Sequence, residues 1–352
     1  MTDGLDTRIT ASRGLAGWLE RQRCALAFTS YQTGRLFLTG RMGDGRVSFH
    51  HQVFARATGL AATRQRLYLA AQHQVWWLEN VLGEEERVKG GYDRLYVPRA
   101  SQTIGDIDLH ELAIDRSGRP VFVASRYNCL ATFSTTHGFA PVWKPGFISK
   151  LAAEDRCHLN GLAMRDGAPA YATAVAASYV AEGWRDRRAD GGVLIDIAAD
   201  RIVAEGLSMP HSPRVAEDGT VWLLDSGRGA IVRIDPANGA RTELAFCPGF
   251  LRGLALHAGH AIVTLSQPRE SAFEGLPIAD ELAKRKAAPW CGIAVIELAS
   301  GDMVQWLRLE GAVTELFDVA VIPDVACPMA IGPETAEMRD MTSFERTFAP
   351  SA

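Results

Sequence analysis

A short motif recurs six times along the chain, at intervals of about fifty residues. Each copy leads from one variable residue into a short run of small and hydrophobic residues, such as GLA, ELA or DVA. The copies begin at Thr58, His110, Asn160, His211, Arg252 and Phe317. A repeat of this length in a β-rich chain is typical of propellers, in which each repeat forms one four-stranded blade. The sequence therefore predicts an all-β chain folded as a six-bladed β-propeller.

The segments after the motif have the pattern of strands. A turn containing glycine is followed by a run that alternates hydrophobic and polar residues, as in RSGRPVFVAS and EDGTVWLLDS. This period of two, with many Val, Phe and Trp residues, is typical of half-buried strands. The turn residues from Asp235 to Gly239 separate two further strands of one repeat. Four antiparallel strands per repeat explain the pattern.

The last copy of the motif lies too near the C-terminal end to provide the other strands of its own blade. Three N-terminal segments with strand patterning, CALAFTSYQ, GRLFLTGRM and RVSFHHQVF, can provide them. We therefore expect a closing blade made of residues 24–54 and 317–323, which leaves no open sheet edge between the first and last blades.

Outside the repeats, Leu15, Trp18 and Leu19 lie at the spacing of one helix face after a serine, which predicts a short N-terminal helix. The tail after the last strand has no periodicity, and we expect it to wrap the surface or fray. The predicted organisation is an N-terminal helical cap at 1–23, the propeller at 24–323 and a C-terminal tail at 324–352.

Composition limits the partners. The formal net charge is −4, and no run rich in lysine and arginine is present, so nucleic acid is not expected as a partner. No stretch of about 18 apolar residues and no secretory signal is found, which favours a cytoplasmic location without membrane association. The six cysteines form no CxxC pair and are expected to be reduced and buried. A small-molecule substrate is the expected partner, and no motif indicates a protein partner.

The runs NGLAMRDG and EDGTVWLLDSGRGAIVRIDPANG resemble the senescence-marker/gluconolactonase and strictosidine-synthase-like propellers. In those propellers an Asn or Asp at the start of an inner strand binds a divalent cation, and Asn160 matches that position. His211 stands where the next blade would have Asp, which favours a transition metal over calcium. The chain also resembles NHL-type repeats, including an amidating lyase that uses histidines around its axis.

The blocks CHLNGLA, MPHSPR and PGFLRGLA make the chain as a whole most similar to a bacterial family of conserved hypothetical propeller proteins. This resemblance spans most of the chain. It implies the fold but no particular activity.

Residues at equivalent positions of each repeat should ring the central channel, because the innermost strands run along its axis. Three histidines occupy such positions in consecutive repeats. We expect His110, His158 and His211 to bind a divalent metal, with Asn160 or Asp108 completing the ligand set. Imidazole and carboxylate together favour zinc or iron over calcium. Polar residues that only bind ordered water are the alternative interpretation of this ring.

Charged residues at neighbouring positions are candidates for catalysis and substrate binding. Glu315 or Asp318 can orient a ligand histidine or act as a general base. Arg252 and Arg214 can pair with a substrate carboxylate or stabilise an oxyanion, or instead form ion pairs with nearby acids. Arg269 is a weaker candidate of the same kind.

A polar loop at 178–192 carries Trp184 and Arg185, an aromatic and cationic pair suited to clamping a planar or anionic group. A solvated loop with the tryptophan packed on the rim is the alternative. The insertion at 273–292, with a helical stretch from Ala279 to Ala288, is expected to act as a lid or to cover a sheet edge.

Three functions remain open from the sequence. The first is a metal-dependent enzyme of hydrolase or lyase type, acting at the channel mouth on a small polar substrate that bears a carboxylate. The second is a non-catalytic propeller that binds a ligand or a protein on one face. The third and weaker one is a non-haem iron oxygenase, because histidine and carboxylate also suit iron.

Overall fold

The computed structural model describes residues 6–88, 90–268 and 274–344, and it contains six β-sheets of the propeller type. Numbered from the inner strand outward, five blades consist of four consecutive strands. The first of them, blade 2, is β5 (Leu60–Ala62), β6 (Arg66–Ala71), β7 (Gln74–Asn80) and β8 (Arg94–Thr103). Blade 3 is β9 (Leu109–Ile114), β10 (Pro120–Ala124), β11 (Cys129–Thr132) and β12 (Ala140–Trp143). Blade 4 is β13 (Leu159–Arg165), β14 (Ala168–Ala174), β15 (Gly192–Asp196) and β16 (Arg201–Leu207). Blade 5 is β17 (Pro210–Val215), β18 (Val221–Asp225), β19 (Ala230–Ile234) and β20 (Arg241–Phe246). Blade 6 is β21 (Phe250–His257), β22 (His260–Ser266), β23 (Cys291–Glu297) and β24 (Met303–Gly311). The six-bladed propeller predicted from the repeat is confirmed.

Blade 1 is the closing blade. Its inner strand is β25 (Val319–Pro323), and its other strands are β2 (Cys24–Ser30), β3 (Arg35–Arg41) and β4 (Val47–Val53). Strands β2 and β25 are antiparallel, with Cys24 opposite Pro323 and Phe28 opposite Val319. The predicted closure by N-terminal strands on the C-terminal inner strand is confirmed.

The hydrophobic core lies between neighbouring blades. The second strands are buried along their whole length, as in PVFVA of β10 and VWLLD of β18. Each blade is covered on both faces, so these strands are continuous apolar runs and do not alternate. One core cluster joins Tyr68 of blade 2 to Phe122 of blade 3.

Two short strands extend the outer edges of the sheets, and the sequence analysis predicted neither. Strand β1 (Thr7–Ala11) pairs antiparallel with β24 of blade 6. Strand β26 (Pro328–Ala330) pairs parallel with β8 of blade 2. Both occupy the exposed side of an outer strand, where unpaired backbone groups would otherwise be available to another chain.

The two α-helices lie outside the blades. Helix α1 (Leu15–Arg21) buries Leu15, Trp18 and Leu19, as its spacing predicts. Helix α2 (Ile278–Arg285) lies in the insertion of blade 6, where Ile278 packs in one cluster with Phe250 at the start of an inner strand. Among the described residues, neither helix has the length and hydrophobicity that crossing a bilayer requires.

Candidate functional site

The chain turns into the inner strands of four successive blades through the same unusual backbone conformation. Arg56, Asp108, His158 and Met209 have φ angles of 49°, 51°, 50° and 49°. This left-handed region costs a residue with a side chain roughly 1 kcal/mol or more. Because the four positions are equivalent in the repeat, the register used to align the motif agrees with the backbone geometry.

His110 is held from behind by two oxygen atoms. Its Nδ1 lies 3.0 Å from the carbonyl oxygen of Asp108 and 2.8 Å from Oγ of Ser125. The Ser125 hydroxyl donates its own hydrogen to the carbonyl of Leu159, at 2.5 Å. Both atoms that face Nδ1 therefore act as acceptors, which places the imidazole proton on Nδ1 and leaves Nε2 as the basic nitrogen.

His211 repeats this arrangement two blades further on. Its Nδ1 lies 2.8 Å from the carbonyl oxygen of Met209 and 3.1 Å from Oγ of Ser226. The Nε2 atom of His211 lies 3.4 Å from the Asn160 side-chain nitrogen, and Thr173 donates to the Asn160 side-chain oxygen at 2.8 Å.

His158 is oriented by a carboxylate. Its Nδ1 lies 2.9 and 3.1 Å from the two carboxylate oxygens of Asp155. Trp184 donates its indole N–H to the same carboxylate at 2.9 Å and stacks on the imidazole, with ring centroids 4.2 Å apart. Arg185 in turn lies over the Trp184 ring at 4.7 Å. The predicted loop pair therefore reaches the site through His158, and Asp155, three residues before this histidine, is a participant that the sequence analysis missed.

Asp108, His110 and His158 converge on one point of the channel mouth. Each offers one ligand atom, and these atoms lie within 4.8 Å of one another. The rings of the two histidines are edge to face, with centroids 4.7 Å apart. Two imidazoles and one carboxylate are a common ligand set for zinc and non-haem iron. The structure thus places three of the five predicted ligands as a possible metal-binding triad.

The other two predicted ligands, His211 and Asn160, lie beside the triad. The rings of His211 and His110 have centroids 6.4 Å apart. The contact between His211 Nε2 and Asn160 shows that each is near the mouth, and their roles as ligands stay predictions.

The local charges suit metal binding. Burial lowers the pKa of His110, and burial together with the charge of Arg252 holds the pKa of His211 well below its usual range. Although burial acts to raise the pKa of Asp108, the charges of His110 and His158 lower it overall. Neutral imidazole and ionised carboxylate are the protonation states that a metal ion needs in its ligands.

Arg252 lies on the same side of the channel, surrounded by aromatic rings. Its guanidinium carbon is 5.1 Å from the ring centroid of Phe317, 5.3 Å from that of Phe250 and 5.5 Å from that of Tyr31. Its Nε is buried without a hydrogen-bond partner among the described residues. Tyr31, which the sequence analysis did not single out, donates its hydroxyl to the Glu315 carboxylate. Arg269 lies outside the described residues.

Asp318 and Arg214 belong to a different level of the channel from Glu315. Arg214 donates to the Glu111 carboxylate, whereas Asp318 accepts from the backbone N–H groups of Leu60 and Val319 at 2.8 Å each. Burial, with the Glu111 charge, raises the pKa of Asp318 to about 7.

The fold and the mouth geometry define a six-bladed β-propeller with a histidine and carboxylate cluster at one end of its channel. Residues 13–331 match the domain of unknown function DUF4915, and the chain belongs to that family. The resemblance to a family of propeller proteins is thereby confirmed.

Solved structures with a similar fold cover most of the chain. A chain of the nidogen/laminin complex aligns with a TM-score of 0.54 and 13% identity, over 86% of this chain and 100% of that one. A catalytically inactive variant of virginiamycin B lyase from Staphylococcus aureus, with quinupristin, aligns with a TM-score of 0.41 and 11% identity, over 87% of this chain and 100% of that one. The first likeness shows the propeller fold alone, and the second carries no argument. No curated protein matches the sequence.

Proposed function

We propose that the protein is a metal-dependent enzyme with its reaction centre at the channel mouth, where Asp108, His110 and His158 bind a divalent transition metal. The observation that carries the proposal is the convergence of their three ligand atoms within 4.8 Å. The outer nitrogen of each histidine is already engaged, to a carbonyl and a hydroxyl in one case and to a carboxylate in the other. Such contacts fix the ring orientation and the tautomer in known metal sites.

The separations are close to those of a bound site. Ligands at about 2.1 Å from one ion lie at most about 4.2 Å apart. Side-chain rotations that bring the ligand atoms closer by less than about 1 Å are therefore enough to form the site. Two nitrogen ligands and one carboxylate favour zinc or iron over calcium, which prefers six to eight oxygens.

Three protein ligands leave coordination positions open for water and substrate. A metal lowers the pKa of bound water to about 7, which provides a nucleophile or base at neutral pH. Hydrolysis and lyase-type proton abstraction are the reactions that such a centre supports best. The Tyr31 and Glu315 pair lies on the Arg252 side of the mouth and is the candidate for general acid and base.

Arg252 is the candidate for binding a substrate carboxylate. Its charge is close enough to lower the pKa of both His211 and Asp108, and its buried Nε–H lacks an acceptor among the described residues. A carboxylate that accepts from this guanidinium would lie beside the triad. On the other side, Trp184 and Arg185 border His158 and can contact the rest of the substrate.

The test is the metal content of protein purified without an affinity tag, measured by inductively coupled plasma mass spectrometry. We expect about one zinc or iron per chain in the unmodified protein and a loss of at least tenfold in the His110→Ala and His158→Ala variants. His137 is exposed on a turn of blade 3, so His137→Ala is the matched control and should keep the metal. Absence of transition metal after dialysis against zinc and iron(II) would refute the proposal.

A further inference from the structure

The six inner strands alternate between glycine and a polar residue at one level of the channel. The level lies one residue past the first position of the motif and consists of Gly59, Glu111, Gly161, Ser212, Gly253 and Asp318. Glycine allows neighbouring inner strands to approach closely at this level. A Cβ on Gly161 would lie 2.5 Å from Pro213 of the next blade, and a Cβ on Gly253 would lie 2.7 Å from the Asp318 backbone.

The three polar side chains bond to the next blade. Asp318 accepts from the Leu60 N–H, Glu111 accepts from the Leu162 N–H at 2.8 Å, and Ser212 donates to the Arg252 carbonyl at 2.8 Å. The oxygens of both carboxylates already accept hydrogen bonds, because Asp318 also accepts from Val319 and Glu111 also accepts from Arg214. These acids therefore have little remaining capacity to bind a cationic ligand.

Beyond this level, away from the histidines, the channel opens into a cavity of about 480 Å³. Strand β13 shows its position: His158 directly precedes the strand, whereas Leu162 and Met164, near the other end, line the cavity. The wall is formed by leucine, isoleucine, valine, alanine and methionine side chains from the inner strands of five other blades as well. Its charged lining residues are Glu111 and Arg214.

Arg214 presents unused donors at the floor of this cavity. Its Nη1 donates to Glu111 and to the Pro213 carbonyl, at 2.8 Å in the second case. Within the described part of the chain, neither its Nε nor its Nη2 has a hydrogen-bond acceptor, and a quarter of the side chain (26%) is exposed. By contrast, the Glu111 side chain is only 4% exposed. The accessible polar group is thus a fixed guanidinium with N–H groups available, which suits an anion with two oxygens.

We propose that this end of the channel is a second binding site, separate from the histidine cluster, for a small amphipathic monocarboxylate. The carboxylate accepts hydrogen bonds from Arg214, and the hydrocarbon part lies against the wall formed by residues such as Leu112, Leu162 and Leu254. The cavity volume is within the range of small-molecule sites, which are mostly apolar with a few placed polar groups.

The experiment measures binding of hexanoate, octanoate and decanoate to the full chain by isothermal titration calorimetry. Each buried methylene contributes about 0.8 kcal/mol, so we expect affinity to rise by about fourfold per added carbon. Octylamine, with the same tail and the opposite charge, should not bind. The site would be refuted if no carboxylate bound at millimolar concentration, or if octylamine bound as tightly as octanoate.

Variants locate the site and separate it from the proposed metal centre. Arg214→Gln should weaken octanoate binding by at least tenfold. The double variant Arg214→Gln with Glu111→Gln keeps the local charge balanced and should show the same loss if the single variant folds poorly. Ala255→Trp fills the cavity from its half-buried wall without changing any charge, and it should also reduce binding.

The His110→Ala and Arg252→Gln variants are the controls at the other end of the channel, and they should keep the affinity of the unmodified protein. If octanoate binding instead depended on Arg252 and not on Arg214, the second site would be refuted and the carboxylate would belong to the histidine mouth. The outcome does not depend on whether a metal is present, so this site and the metal centre can fail independently.

Discussion

Asp318 is a buried carboxyl whose pKa should make the stability of the propeller depend on pH. Burial and the neighbouring Glu111 raise its pKa from 3.8 to about 7. A group whose pKa is higher in the folded state keeps its proton longer there, so its contribution to stability is largest at low pH and is lost as pH rises through the folded pKa. With these pKa values, the Asp318 contribution to the free energy of unfolding falls by about 2 kcal/mol between pH 5.5 and 8.5.

The perturbation that isolates this contribution is Asp318→Asn, which cannot titrate. An asparagine oxygen can accept from only one of the two N–H groups that Asp318 now binds, at Leu60 and Val319. That loss lowers the stability by about 1–3 kcal/mol at every pH. The slope therefore carries the test, whatever the constant offset.

The assay is urea unfolding followed by tryptophan fluorescence at half-unit steps from pH 5.5 to 8.5. We expect the stability difference between the unmodified protein and Asp318→Asn to shrink by about 2 kcal/mol over this range. A difference that stays constant or grows with pH would refute the reasoning about this carboxyl.

Three further predictions concern packing and the site. Gly161→Ala should destabilise the fold by about 1–3 kcal/mol in urea unfolding, because its Cβ would lie 2.2 Å from Thr173 Oγ1, whereas Gly43→Ala, with open space around it, should have little effect. Trp18→Ala should cost about 3–5 kcal/mol in the same assay, because this helix residue is 3% exposed. Asp155→Asn should weaken zinc binding in a competition titration by about 10 to 100-fold, since the carboxylate orients a ligand histidine; unchanged affinity would contradict that role.

Much of the fold could be predicted because a propeller repeats its constraints. The motif marks each inner strand, and the copy at Phe317 without strands after it forces the N-terminal segment to complete the blade. Strands β1 and β26 could not be found this way. They have five and three residues and pair only along an outer edge, so they leave too short a pattern for periodicity to detect.

The candidate site was predictable to the extent that it follows the repeat. Asp108, His110 and His158 occupy equivalent positions, and the structure brings them together. Asp155 and Ser125 come from other parts of the blades, and only the folded chain shows that they contact the histidines.

Position in the repeat also fails to tell one end of the channel from the other. One residue further along an inner strand moves a side chain by about 3.3 Å along the strand, and two or three residues reach the far side of the channel. The sequence therefore grouped Arg214 with the mouth residues, whereas in the structure it lines the cavity at the opposite end.

The most direct measurement for the proposed centre is anomalous X-ray diffraction from crystals of the untagged protein, recorded on both sides of the zinc and iron absorption edges. The account predicts one strong anomalous peak about 2.0–2.2 Å from a nitrogen of His110, a nitrogen of His158 and a carboxylate oxygen of Asp108. Crystals grown with either metal that show no peak among these three side chains, or show it at a different cluster, would contradict the central claim.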